Sequence, residues 1–168
     1  YIFNQISFLF LLPLSLIGFI DDFFNISRFS RLFIQIATSS FILYSSKYIN
    51  VIKSNGNFFI EFIFVVSIIL ICTGIINFCN FIDGIDGILS GSFITIYIFS
   101  TFLFSEPLWG ITGALLGFLL WNWQPSKIFM GDSGSNFLGG TLIWILLNTR
   151  DIDESIGLLL IASPILID

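Results

Sequence analysis

Five carboxylates in three short motifs are the groups in this chain best suited to chemistry. They are Asp21 and Asp22 in GFIDD, Asp83 and Asp86 in NFCNFIDGIDG, and Asp132 in FMGDSGS. Each motif lies at the end of an apolar stretch, and two such stretches separate each motif from the next. An even number of membrane crossings returns a chain to the side it left, so all three motifs are expected to face the same water. A carboxylate beside hydrocarbon is costly, which makes it a functional-site hypothesis by default. Acids gathered at one face suit a divalent cation and the phosphate oxygens it neutralises.

Adjacent carboxylates repel, so Asp21 and Asp22 need a cation to stay ionised together. A metal would serve, as would a guanidinium from Arg28 or Arg31; the plain alternative is a helix end marked by solvated acids. In the second motif Asn77, Asn80, Asp83 and Asp86 recur every three residues. At about 100° per residue each step of three falls back by about 60°, so one straight helix cannot present all four on a single face. Gly84 and Gly87 permit a turn and close backbone approach to a ligand, which puts Asn77 and Asn80 at a helix end and Asp83 to Asp86 in a tight turn. Asn offers a carbonyl to a metal and an amide donor to phosphate, while Asp accepts from sugar or base N–H groups; the alternative is a polar interhelical loop. Asp132, with Gly131 and Gly134 about it and a new helix following, resembles an anion-binding nest at a helix N-terminus. Its carboxylate suits Mg²⁺, which takes one or two carboxylates together with substrate phosphates; its alternative role is a helix N-cap. The string GDSG also surrounds the nucleophile of trypsin-like proteases, but that chemistry needs a His and this chain has none.

The elements that must position these groups follow from composition. The 168 residues are 56% hydrophobic, 18% aromatic and only 10% charged, with mean hydropathy +1.00, whereas about a quarter of an average soluble domain is charged. A spanning helix needs roughly 17–25 apolar residues, and about seven segments approach that: 6–20, 32–48, 58–76, 88–104, 108–121, 137–147 and 156–167. The expected fold is an all-α polytopic transmembrane bundle, and with no internal repeat it is a single domain over 1–168. The 137–147 segment is short, and Gly139-Gly140 imply close packing on a neighbouring helix. Turn residues at 50–57, 105–107 and 148–154 mark the breaks, all on the face opposite the acidic motifs. The chain opens on Tyr1 and stops at Asp168 inside an apolar run, so it reads as an internal stretch truncated at both ends.

Charge excludes some functions and leaves orientation open. Net charge is −5, and the scattered Lys and Arg form no basic stripe for nucleic acid. Cys72 and Cys79 lack CxxC spacing, which argues against a disulfide or zinc site. Arg28, Arg31 and Lys127 fall on the acidic-motif side and Lys47, Lys53 and Arg150 on the other, a tie under the positive-inside rule.

GFIDD, NxxNxxDGIDGI, GFLLWNW and IFMGDSGSxFLG, in this order, resemble the polyprenyl-phosphate N-acetylhexosamine-1-phosphate transferases of the glycosyltransferase family 4 type, and the resemblance runs through essentially the whole chain. The wording of NFCNFIDGIDGI and LLWNWQPSKIFMGD is closer to the O-antigen-type initiators than to the peptidoglycan enzyme. The resemblance implies transfer of a sugar-1-phosphate from a UDP-N-acetylhexosamine to a polyprenyl phosphate, with release of UMP, at the cytoplasmic face of the inner (plasma) membrane. It implies Mg²⁺ on Asp132 with Asn80 as a second ligand, and Asp21 acting on the lipid phosphate with Asp22 in support. It places Asp83, Asp86, Asn122 and Phe129 in the nucleoside pocket, Phe129 by stacking on uracil, with Asn77 among the substrate-binding residues. Arg28 and Arg31 are candidates for the lipid phosphate, or else interfacial anchors. The resemblance also implies an N-terminal segment with substrate-contacting Lys and Gly residues and a C-terminal His-rich loop, both beyond this chain. A homodimer is compatible with it.

Two rivals come from other classes. An ion-coupled transporter keeps acids in its helices, but near the bilayer midplane at broken helices, whereas here they sit at segment ends. An intramembrane aspartyl protease needs two Asp within facing helices, one commonly in a GxGD setting, and here Met130 stands at the first Gly position. Asn77, Asn80 and the DGIDG turn have no use in proteolysis.

Overall fold

The computed structural model describes residues 9–53, 56–103, 108–149 and 151–163. These form helices and no strand: α1 Leu12–Phe24, α2 Arg28–Ser45, α3 Tyr48–Lys53, α4 Phe58–Ile82, α5 Ile88–Leu103, α6 Trp109–Asn122, α7 Gly131–Asn148 and α8 Ile152–Ile161. The boundaries have local causes. Pro13 lies in the first turn of α1, and Asn25 ends the helix in the left-handed region at φ 48°, a conformation Asn tolerates at a helix C-terminus. Ser27 accepts from the Ser30 N–H at 3.2 Å and so starts α2 at Arg28, putting Arg28 and Arg31 on the first turn. Asn57 caps α4 by accepting from the Phe59 and Ile60 N–H groups.

The bundle is organised around α7, which packs on α1 and α4, while α5 pairs with α6 and α8 leans on α5 and α7. The two glycines expected to allow close packing do so toward different partners. A Cβ on Gly139 would come 2.8 Å from the Ile76 Cα in α4, and one on Gly140 would come 2.6 Å from Leu14 in α1. One apolar cluster joins Leu14, Ile42, Ile76 and Ile143; a second joins Phe93, Tyr97, Leu142, Ile145 and Leu158. Both cysteines are buried and free.

The helix inventory is all-α, as expected, and sorts the apolar segments by length and polarity. Among the described residues one helix, Phe58–Ile82, is long and apolar enough to cross a membrane, with Ile88–Phe102 and Trp109–Asn122 shorter and apolar, against about seven segments expected. The reason is polarity as much as length. α2 and α7 each reach 18 residues, but α2 carries Arg, Gln, Ser and Thr within its span and α7 opens on Gly-Asp-Ser-Gly-Ser-Asn. For the same reason the segment expected to be short at 137–147 is the rear of a full-length helix begun six residues earlier. The break expected at 50–57 also holds a helical turn, α3, ahead of Asn57. Residues 6–8, 54–55, 104–107, 150 and 164–168, on which parts of the segment and turn expectations fall, lie outside the described residues.

The outer surface is apolar. Of the most hydropathic α4 window only 17% is buried, and Phe58, Phe59, Phe62, Leu70 and Phe81 are exposed along that helix. A contiguous apolar surface of this kind needs an apolar surrounding or a partner to cover it.

Candidate active site

The three acidic motifs meet where α7 begins. Four N–H groups at a helix start have no partner within the helix, and Met130 at the N-cap supplies no side-chain bond. Asp22 supplies it from another helix, accepting from the Asp132 N–H at 3.1 Å and the Ser133 N–H at 3.4 Å. Gly131 makes the approach possible. It sits at φ +70°, and a Cβ there would stand 2.8 Å from the Asp22 Oδ2.

With the helix start capped by Asp22, the Asp132 side chain turns elsewhere. Its Oδ2 accepts from the Arg31 Nη1 at 2.9 Å, and the same nitrogen reaches the Asp21 Oδ2 at 2.6 Å. Its Oδ1 accepts from the Asn80 Nδ2 at 2.8 Å, which also donates to the Ser135 Oγ. Arg31 thus places one cation between Asp21 and Asp132, and so reaches one member of the Asp21-Asp22 pair, while Asp22 accepts from backbone N–H groups. The other Asp21 oxygen accepts from the Ile26 N–H at 2.6 Å, holding the α1–α2 turn.

Asp83 ends α4 and lies within electrostatic reach of the same cluster. Burial pushes its carboxyl up to about 6, the charges of Asp132 and Asp22 add to the rise, and a hydrogen bond from the Gly131 N–H opposes it. Asp86 stands apart. It accepts from the Ser126 hydroxyl at 2.6 Å and the Ser126 N–H at 3.1 Å, and these bonds hold its carboxyl below the ordinary range. Asn122 is buried, and its amide bonds two backbone groups and one hydroxyl. Its Oδ1 accepts from the Gly87 N–H and the Ser90 hydroxyl, and its Nδ2 donates to the Ile128 carbonyl. Gly87, at φ +73°, is thereby tied to the loop that carries Phe129, whose ring is exposed. Asn77 pairs with Gln35 rather than bonding Asp132.

The donor set bears on a metal. Among the described residues no three His, Cys, Asp or Glu side chains are grouped to hold an ion. Asp132 and Asn80 are adjacent, and a half-turn of the Asn80 amide exchanges its nitrogen for its oxygen. One carboxylate and one carbonyl suit a cation that leaves its other positions to water and phosphate, the habit of Mg²⁺.

Gln35, Ser126, Ser133, Ser135 and Asn136 complete the polar network and were not singled out from the sequence. For Gln35 and Asn136 a signal was present. Arg31 and Gln35, Asn77 and Asn80, and Asp132 and Asn136 are each spaced three or four apart, the interval at which side chains share a helix face.

An all-helical bundle with an apolar exterior and a cluster of carboxylates, guanidinium and carboxamides at one helix N-terminus defines a narrow class, a helical scaffold serving a polar site at one end. Within it, the chain belongs to glycosyl transferase family 4, whose profile matches residues 5–150. It is 31% identical over 165 residues to a phospho-N-acetylmuramoyl-pentapeptide-transferase of Shouchella clausii, covering 80% of this chain and 48% of the relative. A second such transferase, of Staphylococcus haemolyticus, is 33% identical, with 91% and 54% covered. An undecaprenyl-phosphate alpha-N-acetylglucosaminyl 1-phosphate transferase of Thermotoga maritima is 34% identical, with 80% and 42% covered. The chain spans about half the length of these curated relatives.

Proposed function

We propose that the full-length protein transfers an N-acetylhexosamine-1-phosphate unit from a UDP-sugar to a polyprenyl phosphate and releases UMP, an initiating step of cell-envelope glycan synthesis. The observation that carries this reading is the convergence of Asp21, Asp22, Asp83, Asp132, Arg31 and Asn80 at the start of α7 in a chain of this family. Relatives named for muramoyl-pentapeptide and for N-acetylglucosaminyl transfer match at similar identity, which supports the reaction the two names share. The bundle is polytopic, with the site at the cytoplasmic face of the plasma membrane; the exposed aromatic residues of α4 support a bilayer setting.

An oxygen of the lipid phosphate attacks the sugar-bearing phosphorus of the UDP-sugar, the bond from that phosphorus to UMP breaks, and one phosphoanhydride replaces another. Little covalent chemistry is asked of the protein, which must position two polyanions and offset their repulsion. Mg²⁺, when bound at Asp132 and Asn80, would neutralise diphosphate charge. Asp21 and Asp22 act at the acceptor side, with Asp22 also holding the α7 N-terminus against α1. Asn77, Asp83, Asp86, Asn122 and Phe129 belong to the substrate side; Asp86 and Asn122 act there by fixing the turn and loop that present Asp83 and Phe129.

The test is UMP release by the full-length protein given UDP-N-acetylhexosamine, polyprenyl phosphate and Mg²⁺. Asp132→Asn should abolish it. Wild-type turnover in that variant sinks the metal assignment, and flux of a solute across vesicles without UMP release would favour a transporter instead.

A further inference from the structure

Three carboxamides from three helices meet one turn away from the carboxylate cluster. Gln35 of α2 donates from its Nε2 to the Asn77 Oδ1 of α4 at 3.1 Å and to the Asn136 Oδ1 of α7 at 3.3 Å. Its Oε1 accepts from the Asn77 Nδ2 at 2.9 Å. Gln35 is thus the member that bonds both of the others. Each carboxamide stands one turn from a residue of the site on its own helix. Gln35 follows Arg31 by four positions, Asn77 precedes Asn80 by three, and Asn136 follows Asp132 by four. At about 1.5 Å per residue the junction lies roughly 4.5–6 Å along the helices from the groups bonded around Asp132.

Gln35 is 3% exposed and Asn136 2%, and the same three helices also meet through the apolar cluster of Ile42, Ile76 and Ile143. Burying an amide is costly unless it is bonded, so a slip of α2 against α4 and α7 would strand Gln35. Apolar packing is non-directional. In a bilayer, helix faces gain little from each other over lipid, and hydrogen bonds between Asn and Gln side chains help to fix how helices meet. What the register fixes here is the reach of Arg31 and Asn80. The Arg31 Nη1 lies 2.6 Å from the Asp21 Oδ2 and 2.9 Å from the Asp132 Oδ2, and the Asn80 Nδ2 lies 2.8 Å from the Asp132 Oδ1. A shift of about 1 Å in one helix takes such bonds out of range. We propose that Gln35 is a positioning residue for the transfer reaction, tying α2 to α4 and α7 and so holding Arg31 and Asn80 against Asp132. This role rests on the transferase reading and adds to it a residue that acts only through the groups of the site.

The experiment measures UMP release and amide deuterium uptake by the full-length protein in nanodiscs. The variants are Gln35→Met, which keeps the side-chain length and removes the amide, Gln35→Asn, and Gln35→Asn combined with Asn77→Gln. Gln35→Met should lower kcat roughly ten- to hundred-fold, the penalty for misplacing reacting groups by about 1 Å. The KM for UDP-sugar should hold, because the bonds that fix Asp86 and Asn122 do not involve Gln35. Gln35→Asn should lose rate as well, its side chain being too short to span the junction. Adding Asn77→Gln returns the missing methylene from the facing helix and should restore kcat, which a general loss of stability would not allow. Leu158→Ala is the control: Leu158 is fully buried in the cluster of Phe93 and Tyr97, so this variant should melt lower and keep its kcat. Wild-type kcat in Gln35→Met or Gln35→Asn overturns the proposal, as does a folded double variant without rescue, or a rate loss in Leu158→Ala equal to that in Gln35→Met. Should Gln35→Met not fold, Gln35→Asn and its rescue carry the test. If wild type releases no UMP, the transferase reading fails and deuterium uptake at residues 131–136 judges the junction by itself. Faster uptake in Gln35→Asn that the double variant reverses supports it, and unchanged uptake overturns it.

Discussion

Gly18 sets the distance between the two helices that carry Asp21, Asp22 and Asp132. A Cβ at this position would lie 2.3 Å from the Asp132 carbonyl oxygen, 2.4 Å from its carbon and 2.6 Å from the Ser133 Cα. All three are backbone atoms, so no rotamer change relieves the overlap in Gly18→Ala. Ordinary contact begins at 3.4 Å, so α1 and α7 must separate by about 1 Å to restore van der Waals spacing. Overpacking of this kind costs roughly 1–3 kcal/mol. The same separation stretches the bonds from the Asp132 and Ser133 N–H groups to Asp22, now 3.1 and 3.4 Å, out of hydrogen-bonding range. A misplacement of about 1 Å at reacting groups costs about a hundred-fold in rate. UMP release and thermal melting of the full-length protein should both fall in Gly18→Ala. Gly113→Ala is the control. Its Cβ meets nothing within 4 Å, and Ala in a helix interior is favoured over Gly by roughly 0.5–1 kcal/mol, so it should turn over like wild type. A Gly18→Ala protein with wild-type rate and melting temperature refutes the claim that this contact sets the site's geometry.

Asn122→Ala should cost roughly 2–4 kcal/mol, because it strands the buried Gly87 N–H and releases Ser90 and Ile128 together; thermal melting measures it, and faster proteolysis within 123–130 should accompany it. Asp83 titrates at about 6 in the fold against 3.8 ordinarily, so its contribution to stability is full below 3.8 and is lost as pH rises through 6. With chelator present, Asp83→Asn should therefore melt higher than wild type at about pH 8 and alike near pH 3.5, and equal melting at the higher pH would count against the shift. Ser39 is fully buried and its hydroxyl has no partner among the described residues, so Ser39→Ala should raise stability by roughly 1 kcal/mol in equilibrium unfolding, and a loss would show an unseen partner.

Why some of this was legible in the sequence and some was not comes down to which interactions are local. The Asn77–Asp86 run was readable because helical geometry alone forbids four residues at intervals of three from sharing a face; the helix does end at Ile82, with the turn at Asp83. The motifs marked helix starts near Arg28 and at Asp132, and the apolar segments began later because apolar content marks where a chain can sit in hydrocarbon, while capping decides where the helix begins. Ser27 extends α2 back to Arg28, and Gly131 starts α7 ahead of its polar first turn. The roles within the acidic cluster were beyond local reasoning. An N-cap was the alternative weighed for Asp132, yet that cap comes from Asp22, 110 positions away in sequence, and only packing of α1 on α7 through Gly18 brings it there. Freed from capping, Asp132 can face Arg31 and Asn80. A carboxylate that caps its own helix is already satisfied by backbone N–H groups; one relieved of that duty by a neighbour keeps its charge for a cation. The division of labour between Asp22 and Asp132 is therefore a property of two helices in contact, and neither helix carries it alone.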